Sequence, residues 1–294
     1  MKQVSSGWWS GFIGVLIFSA SLPATRMAVA GFDPAFLTLA RASIAGMLAC
    51  ALLVVFKQKR PAGADLGSLA VVALGVVIGF PFLTALALKH ITAAHSTVFI
   101  GLLPLSTAIF AVMRGGERPR PIFWVFSCLG STLVAGFALM QDGTASLTGD
   151  LLMLSAIVVC GLGYAEGAAL SRRLGGWQVI SWALVLSLPL MLPLALFFMP
   201  ASLSGIPTSA WVGLCYVSLF SMLIGFIFWY RGLALGGIAA VGQLQLLQPF
   251  FGLILSATLL GEAVSPAMLI VTMGVVACVA GARRVSRQVA VPRH

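Results

Sequence analysis

Gln245 and Gln248 stand three residues apart in the segment GQLQLLQPFFG, so a helix turns both amides to one face and Gln243 to another. An amide offers donors and acceptors together, which suits the ammonium or carboxylate of a small zwitterion; hydrogen bonding between helices uses the same pair equally well. Other polar and aromatic residues recur at helical spacing. Ser218, Ser221, Met222, Gly225 and Trp229 share one face; His95, Phe99, Leu102 and Ser106 share another, as do Phe12, Ser19, Pro23 and Arg26. Tyr164 sits among the glycines of GLGYAEG, where a second backbone can approach, and Phe80 and Phe82 flank Pro81. Aromatic walls with a few convergent polar groups are the usual makings of a small-molecule site. The candidate substrate-binding residues are therefore Ser19, Phe80, His95, Phe99, Tyr164, Ser221, Trp229, Gln245 and Gln248. Close packing of helices and contact with lipid explain small and aromatic stripes as well.

No catalytic centre accompanies this set: HExxH, GxSxG and clustered acids are missing from the sequence. The five cysteines, Cys50, Cys128, Cys160, Cys215 and Cys278, form no CxxC pair and have no His or acid at metal spacing, so neither a metal nor a cofactor is expected. A channel's ring of matched charges or carbonyl loops is missing too. Three ionisable residues lie within apolar stretches. Arg41, about two turns from Asp33, is expected to snorkel or pair, or else to mark the way in for an anion. Glu166 is expected to bridge to Arg172 at the membrane border or else to carry a proton, and His95 to be a wetted gate residue or a proton carrier.

The elements that position these residues follow from composition. With 60% hydrophobic and 8% charged residues, the chain cannot cover itself with a water-soluble surface. Apolar runs of the length needed to cross a bilayer, about 20 residues, recur along it. They predict ten helices, at about 8–30, 34–56, 67–88, 92–113, 122–140, 150–171, 178–199, 209–231, 238–260 and 266–284. Continuous rather than alternating apolarity excludes a barrel. Ala28-Val29-Ala30 imitates a signal-peptide cleavage site, but Arg26 interrupts the approach and only Lys2 charges the n-region, so the first span is expected to be retained. Interior prolines free backbone carbonyls and make kinks or hinges, which Pro23, Pro81, Pro104, Pro189, Pro193 and Pro249 are all placed to do; Pro23, Pro81, Pro104 and Pro249 are read as hinges, static kinks being the alternative.

The net charge of +10 is scattered over loops, which argues for orientation rather than nucleic-acid binding. Lys57, Lys59, Arg60, Arg114, Arg118, Arg120, Arg172, Arg173, Arg231 and the C-terminal arginines fall on one side; Asp33, Asp142, Asp150 and Glu262 fall on the other. The positive-inside rule then puts both termini in the cytoplasm. A shift of 145 residues lays Pro104 on Pro249, GERPRP (116–121) on GEAVSP (261–266) and Val134-Ala135-Gly136 on Val279-Ala280-Gly281. Five spans per unit is odd, so the second unit is inverted. The fold expected is all-α and membrane-integral, with ten transmembrane helices as two inverted five-helix repeats at 1–141 and 149–284 and a cytoplasmic tail at 285–294. Inverted repeats are a transporter architecture, with the site near the midplane. Glu117 and Glu262, just before Pro121 and Pro266, are expected to stabilise helix N-termini rather than bind cargo.

The paired Pro…Gly-Glu…Pro units resemble the EamA-type repeats of the drug/metabolite transporter superfamily over essentially the whole chain. Within it, the aromatic-rich core and GQLQLLQPFFG look most like the YddG-like bacterial exporters of aromatic and other neutral amino acids. The resemblance implies an inner-membrane carrier, monomeric or homodimeric, whose cavity is built mainly from helices 1, 3, 4, 6, 8 and 9. Helices 5 and 10 would lie at the periphery or at a dimer contact. It implies a small-molecule substrate, amino acids or related metabolites, moved by alternating access. A multidrug cation carrier is the alternative, although its deep acid in the first helix is missing; a nucleotide-sugar carrier has only Arg41 in its favour.

Overall fold

A computed structural model describes residues 2–115, 121–139, 146–236 and 242–287. Glu117 and the rest of 116–120, Asp142 and the chain beyond 287 lie outside the described residues. Those described are helical, with no strand among them. Six helices are long and apolar enough to cross a membrane: Ser6–Val29, Pro34–Val55, Gly63–Ala87, Leu147–Leu174, Gly176–Phe197 and Thr208–Gly232. Shorter apolar helices occupy the remaining expected positions, at Ala93–Thr107, Trp124–Leu133, Leu244–Leu260 and Pro266–Cys278. Large apolar side chains such as Val54, Leu74, Phe197 and Ile270, 63 to 80% exposed, form an outer surface suited to lipid.

The helices end and restart where local chemistry dictates. In order they are α1 (Lys2–Ser19), α2 (Ser21–Val29), α3 (Pro34–Val55), α4 (Gly63–Val72), α5 (Phe80–Ala87), α6 (Ala93–Ile100), α7 (Leu103–Gly115) and α8 (Pro121–Leu139). Then follow α9 (Leu147–Leu174), α10 (Gly176–Phe197), α11 (Thr208–Tyr216), α12 (Gly225–Gly236), α13 (Gln248–Leu260) and α14 (Pro266–Arg287). The Asp33 carboxylate caps α3, accepting from the backbone N–H of Ala35 at 2.8 Å, with Pro34 in the first turn. Thr92 caps α6 by accepting from His95 N–H at 3.1 Å. A single residue, Gly175, joins α9 to α10 with φ +96°, a conformation that side chains with a Cβ rarely adopt.

Each expected hinge proline sits where the regular helix fails, because its missing N–H orphans the carbonyl four residues back. That carbonyl belongs to Ser19 for Pro23 and to Ile100 for Pro104, the last residues of α1 and α6. For Pro81 it is Val77, inside a π-helical segment at Ala73–Gly79; for Pro249 it is Gln245, inside a 3₁₀ segment at Gly242–Leu247. Wider and tighter turns of this kind replace the lost α-helical bond. Pro189 and Pro193, by contrast, lie within the uninterrupted α10.

Element starts repeat along the chain. Gly63 and Thr208, Phe80 and Gly225, Leu103 and Gln248, and Pro121 and Pro266 are each 145 residues apart, and a second π-helical segment, Val217–Ile224, precedes α12 as the first precedes α5. The packing repeats in the same sense. α1 and α2 run along α12 and α11, while α9 runs along α4 and α5; α3 pairs with α10, α6 with α13, and α8 with α14. Close approach of these helices depends on small residues. A Cβ on Gly75 would come 2.7 Å from the Val159 carbonyl oxygen, and one on Gly163 would come 3.2 Å from Gly75 Cα. The glycines beside Tyr164 thus admit another backbone.

Candidate functional site

The breaks in α1/α2, α4/α5, α6/α7 and α13 face a common interior, where a narrow cavity lies. α1 and α2 contribute Phe18, Ser21, Leu22 and Thr25; α3 contributes Arg41; the third apolar stretch contributes Val76, Phe80, Pro81 and Thr84. Ile100 and Leu103 come from α6 and α7, Tyr164 from α9, Ser221 and Phe226 from the eighth stretch, and Gln248 from α13. The space open to centres of water molecules is about 30 Å³, small beside the roughly 150 Å³ of a protein cavity that takes up benzene. An amino acid fits only if the helices part.

Four of the predicted substrate residues, Phe80, Tyr164, Ser221 and Gln248, line this cavity, as does Pro81. Aromatic rings build one wall: Phe18 meets Phe226 at 4.9 Å and Tyr164 meets Phe226 at 5.9 Å, both edge to face. Trp229 is 2% exposed and stands behind that wall, 6.4 Å from the Tyr164 ring. The small-to-indole stripe of the eighth stretch therefore splits, its Ser221 end reaching the cavity and its Trp229 end the packing. Gln245, inside the 3₁₀ segment, is buried but is not among the lining residues. Ser19 bonds back to the Val15 carbonyl at 2.7 Å, a satisfied helical hydroxyl outside the cavity.

His95 and Phe99 belong to a different cluster. His95 is 4% exposed, so it is no wetted gate residue; its Nε2 lies 2.7 Å from the Asp150 carboxylate, which α9 presents from its first turn. The ring also lies 4.9 Å from that of Phe137 and 5.8 Å from that of Phe99. Beside it, the Glu262 carboxylate accepts from the backbone N–H groups of Ala93 (3.1 Å) and Ala94 (2.7 Å). Glu262 therefore does cap a helix, but α6 rather than the α14 it precedes. At α14 the Ser265 hydroxyl accepts from Met268 N–H at 3.3 Å instead.

The other two intramembrane charges are Glu166 and Arg41. Glu166 accepts from the Ser68 hydroxyl at 2.5 Å, and on the neighbouring turns Arg173 pairs with Asp65 at 2.8 Å. Arg41 does not snorkel. It is 5% exposed, lines the cavity, and its Nη2 reaches the Ser221 hydroxyl at 3.3 Å; that hydroxyl is itself 2.7 Å from Ser21 Oγ. A charge at such a depth costs roughly 2.5 to 3.5 kcal/mol on insertion scales. Arg41 is the charged residue among the cavity residues that the predicted set lacked; Phe18, Ser21, Thr25, Thr84 and Phe226 are others. The signal for Arg41 was present, a cation within an apolar run, but the run's uniform apolarity gave no means of telling an inward from an outward face.

Comparison with known proteins agrees with the architecture. The profile of the EamA-like transporter family matches residues 5–139 and again 147–284. The chain is 68% identical over 287 residues to the transporter YdeK of Bacillus subtilis, covering 98% of this chain and all of that one. It is 24% identical over 274 residues to a probable terminal-alkyne amino-acid exporter of Streptantibioticus cattleyicolor, covering 91% and 90% of the two chains. A solved crystal structure superposes with a TM-score of 0.68 at 20% identity, covering 98% of this chain and 99% of that one; at this identity the likeness shows the fold alone.

Proposed function

Because the chain belongs to the EamA-like transporter family, we propose that it exports amino acids, aromatic or other neutral ones, and related small metabolites by alternating access. It is a multi-pass membrane transporter rather than an enzyme. The observation that carries the substrate reading is the central cavity. Aromatic rings from α1, α5, α9 and α12 enclose it, and Ser221 and Gln248 supply polar groups. The exporter of Streptantibioticus cattleyicolor supports cargo of this class.

In this reading ten spans form two inverted five-helix units, 1–141 and 149–284, followed by a cytoplasmic tail, with both termini on the cytoplasmic side of a bacterial inner membrane. The repeated 145-residue offsets, the double profile match and the exchange-symmetric packing support it. Phe80, Tyr164, Ser221 and Gln248 contact cargo directly, and Pro81, Pro23, Pro104 and Pro249 mark the hinges. Five spans per unit place the units in opposite senses across a shared site, the arrangement that rocking requires.

Flux into proteoliposomes tests it with labelled L-phenylalanine, L-leucine and the organic cation tetraphenylphosphonium. Saturable amino-acid flux that falls at least severalfold in Tyr164→Ala and Gln248→Ala is expected. Cation flux in the absence of amino-acid flux would sink the proposal in favour of a multidrug carrier.

A further inference from the structure

Arg41 projects a buried positive charge into the cavity, and the described residues supply no carboxylate to meet it. A guanidinium carries five N–H donors. One of them reaches Ser221 Oγ at 3.3 Å, at the long end for a hydrogen bond, and the buried Nε has no hydrogen-bond partner. The described acids are engaged elsewhere: Asp33 caps α3, Asp65 pairs with Arg173, Asp150 with His95, Glu166 takes the Ser68 hydroxyl and Glu262 caps α6. Charged side chains at membrane depth pair with one another or mark a substrate pathway. The first option is closed to Arg41 among these residues.

A second orphan lines the same cavity. Gln248 is 7% exposed, and its Oε1 is a buried acceptor without a partner. A buried polar group left unsatisfied is costly, so a fixed cation and a free acceptor around one small space describe the ligand that would satisfy both. That ligand brings an anionic acceptor to Arg41 and a donor to Gln248. A carboxylate fits a guanidinium by its planar, forked geometry. An ammonium fits an amide oxygen, and the ring wall of Phe18, Tyr164 and Phe226 leaves an apolar side chain as the third part.

We propose that Arg41 is the carboxylate receptor of the central cavity and Gln248 the acceptor for the cargo's amino group. This rests on the amino-acid reading above and adds the residues that discriminate. Arg41 repels cargo bearing only positive charge, so it is also the filter against organic cations. Binding draws the carboxylate to the Nε edge of the guanidinium and loosens the long bond to Ser221, a bond that ties α3 to the π-helical segment of the eighth stretch.

The test separates the two halves of a zwitterion in the full-length protein reconstituted into liposomes. Labelled L-phenylalanine is the transported probe; 3-phenylpropionate, which lacks the amino group, and phenethylamine, which lacks the carboxylate, are the competitors. We expect 3-phenylpropionate to compete and phenethylamine not to. Arg41→Gln should cut phenylalanine flux by about tenfold or more, with Arg41→Lys partly restoring it, as expected for loss of a charge-assisted hydrogen bond. Gln248→Leu should weaken phenylalanine while leaving competition by 3-phenylpropionate intact.

Undiminished phenylalanine flux in Arg41→Gln would overturn the assignment and leave the amino-acid reading standing. If the wild type moves no amino acid, that reading falls; Arg41 is then judged by thermal stabilisation of the purified protein. Stabilisation by 3-phenylpropionate that Arg41→Gln abolishes supports a carboxylate site, and its absence overturns it. Should Arg41→Gln fail to fold, the wild-type competition decides, since phenethylamine competing as well as 3-phenylpropionate is incompatible with a carboxylate receptor.

Discussion

Asp150 and His95, 55 residues apart in sequence, meet at 2.7 Å in a site that holds both below 6% exposure. Removing one partner leaves the other buried without its bond, and hydrogen bonds to charged groups contribute about 1.5 to 3 kcal/mol. Asp150→Ala should therefore lower stability by about 2 kcal/mol in denaturant unfolding of the detergent-solubilised protein. Glu262→Ala removes the carboxylate from two N–H groups of α6, and a loss of about 1 kcal/mol is expected for a helix cap. If both residues held only exposed, interchangeable contacts, neither change would register. These pairings also mark the limit of sequence reading at this scale. That Glu262 stabilises a helix start followed from its place before Pro266, but which start it serves depends on α6 lying 168 residues away in the chain and adjacent in space. His95 looked like a gate because it opens its helix; the α9 terminus that buries it left no local trace.

Elements were more legible than contacts. The long apolar runs and the prolines within them are local properties, so the break before each of Pro23, Pro81, Pro104 and Pro249 could be anticipated, although the same reading applied to Pro189 and Pro193 meets a continuous helix. The π-helical segment at Val217–Ile224 could not, since no proline follows it; it matches instead the segment at Ala73–Gly79 in the other half of the chain. Between these elements, backbone proximity sets the tolerance to substitution. Gly75 lies where a Cβ would press on the Val159 carbonyl, whereas around Gly67, in the same apolar stretch, nothing lies within 4 Å. Gly75→Ala should destabilise by about 1 to 3 kcal/mol, as overpacking does. Gly67→Ala should be neutral or stabilising by up to about 1 kcal/mol through helix propensity. Thermal unfolding of the two variants side by side checks this, and equal midpoints would show that α4 and its π-helical continuation do not press on α9.

At the scale of the whole molecule, the cavity's size sets a condition on transport. A cavity with about 30 Å³ open to water centres does not hold an amino acid between Ser221 and Gln248, so the cargo-bound state requires the cavity walls to separate. The shortest polar contact that the cavity-lining residues make across the two halves of the chain is Ser21 Oγ to Ser221 Oγ at 2.7 Å, between α2 and the π-helical segment before α12. A pair of cysteines at these positions is close enough to oxidise with little movement of the backbone. In a background with the five native cysteines replaced by serine or alanine, Ser21→Cys with Ser221→Cys should lose on oxidation whatever flux its reduced form retains. Adding a reductant to the oxidised vesicles should restore flux, which distinguishes a locked contact from a damaged site. Full flux with the disulfide formed in most molecules would mean that cargo passes without parting α2 from the eighth stretch. Alternating access about this cavity would then be wrong, whatever the cargo.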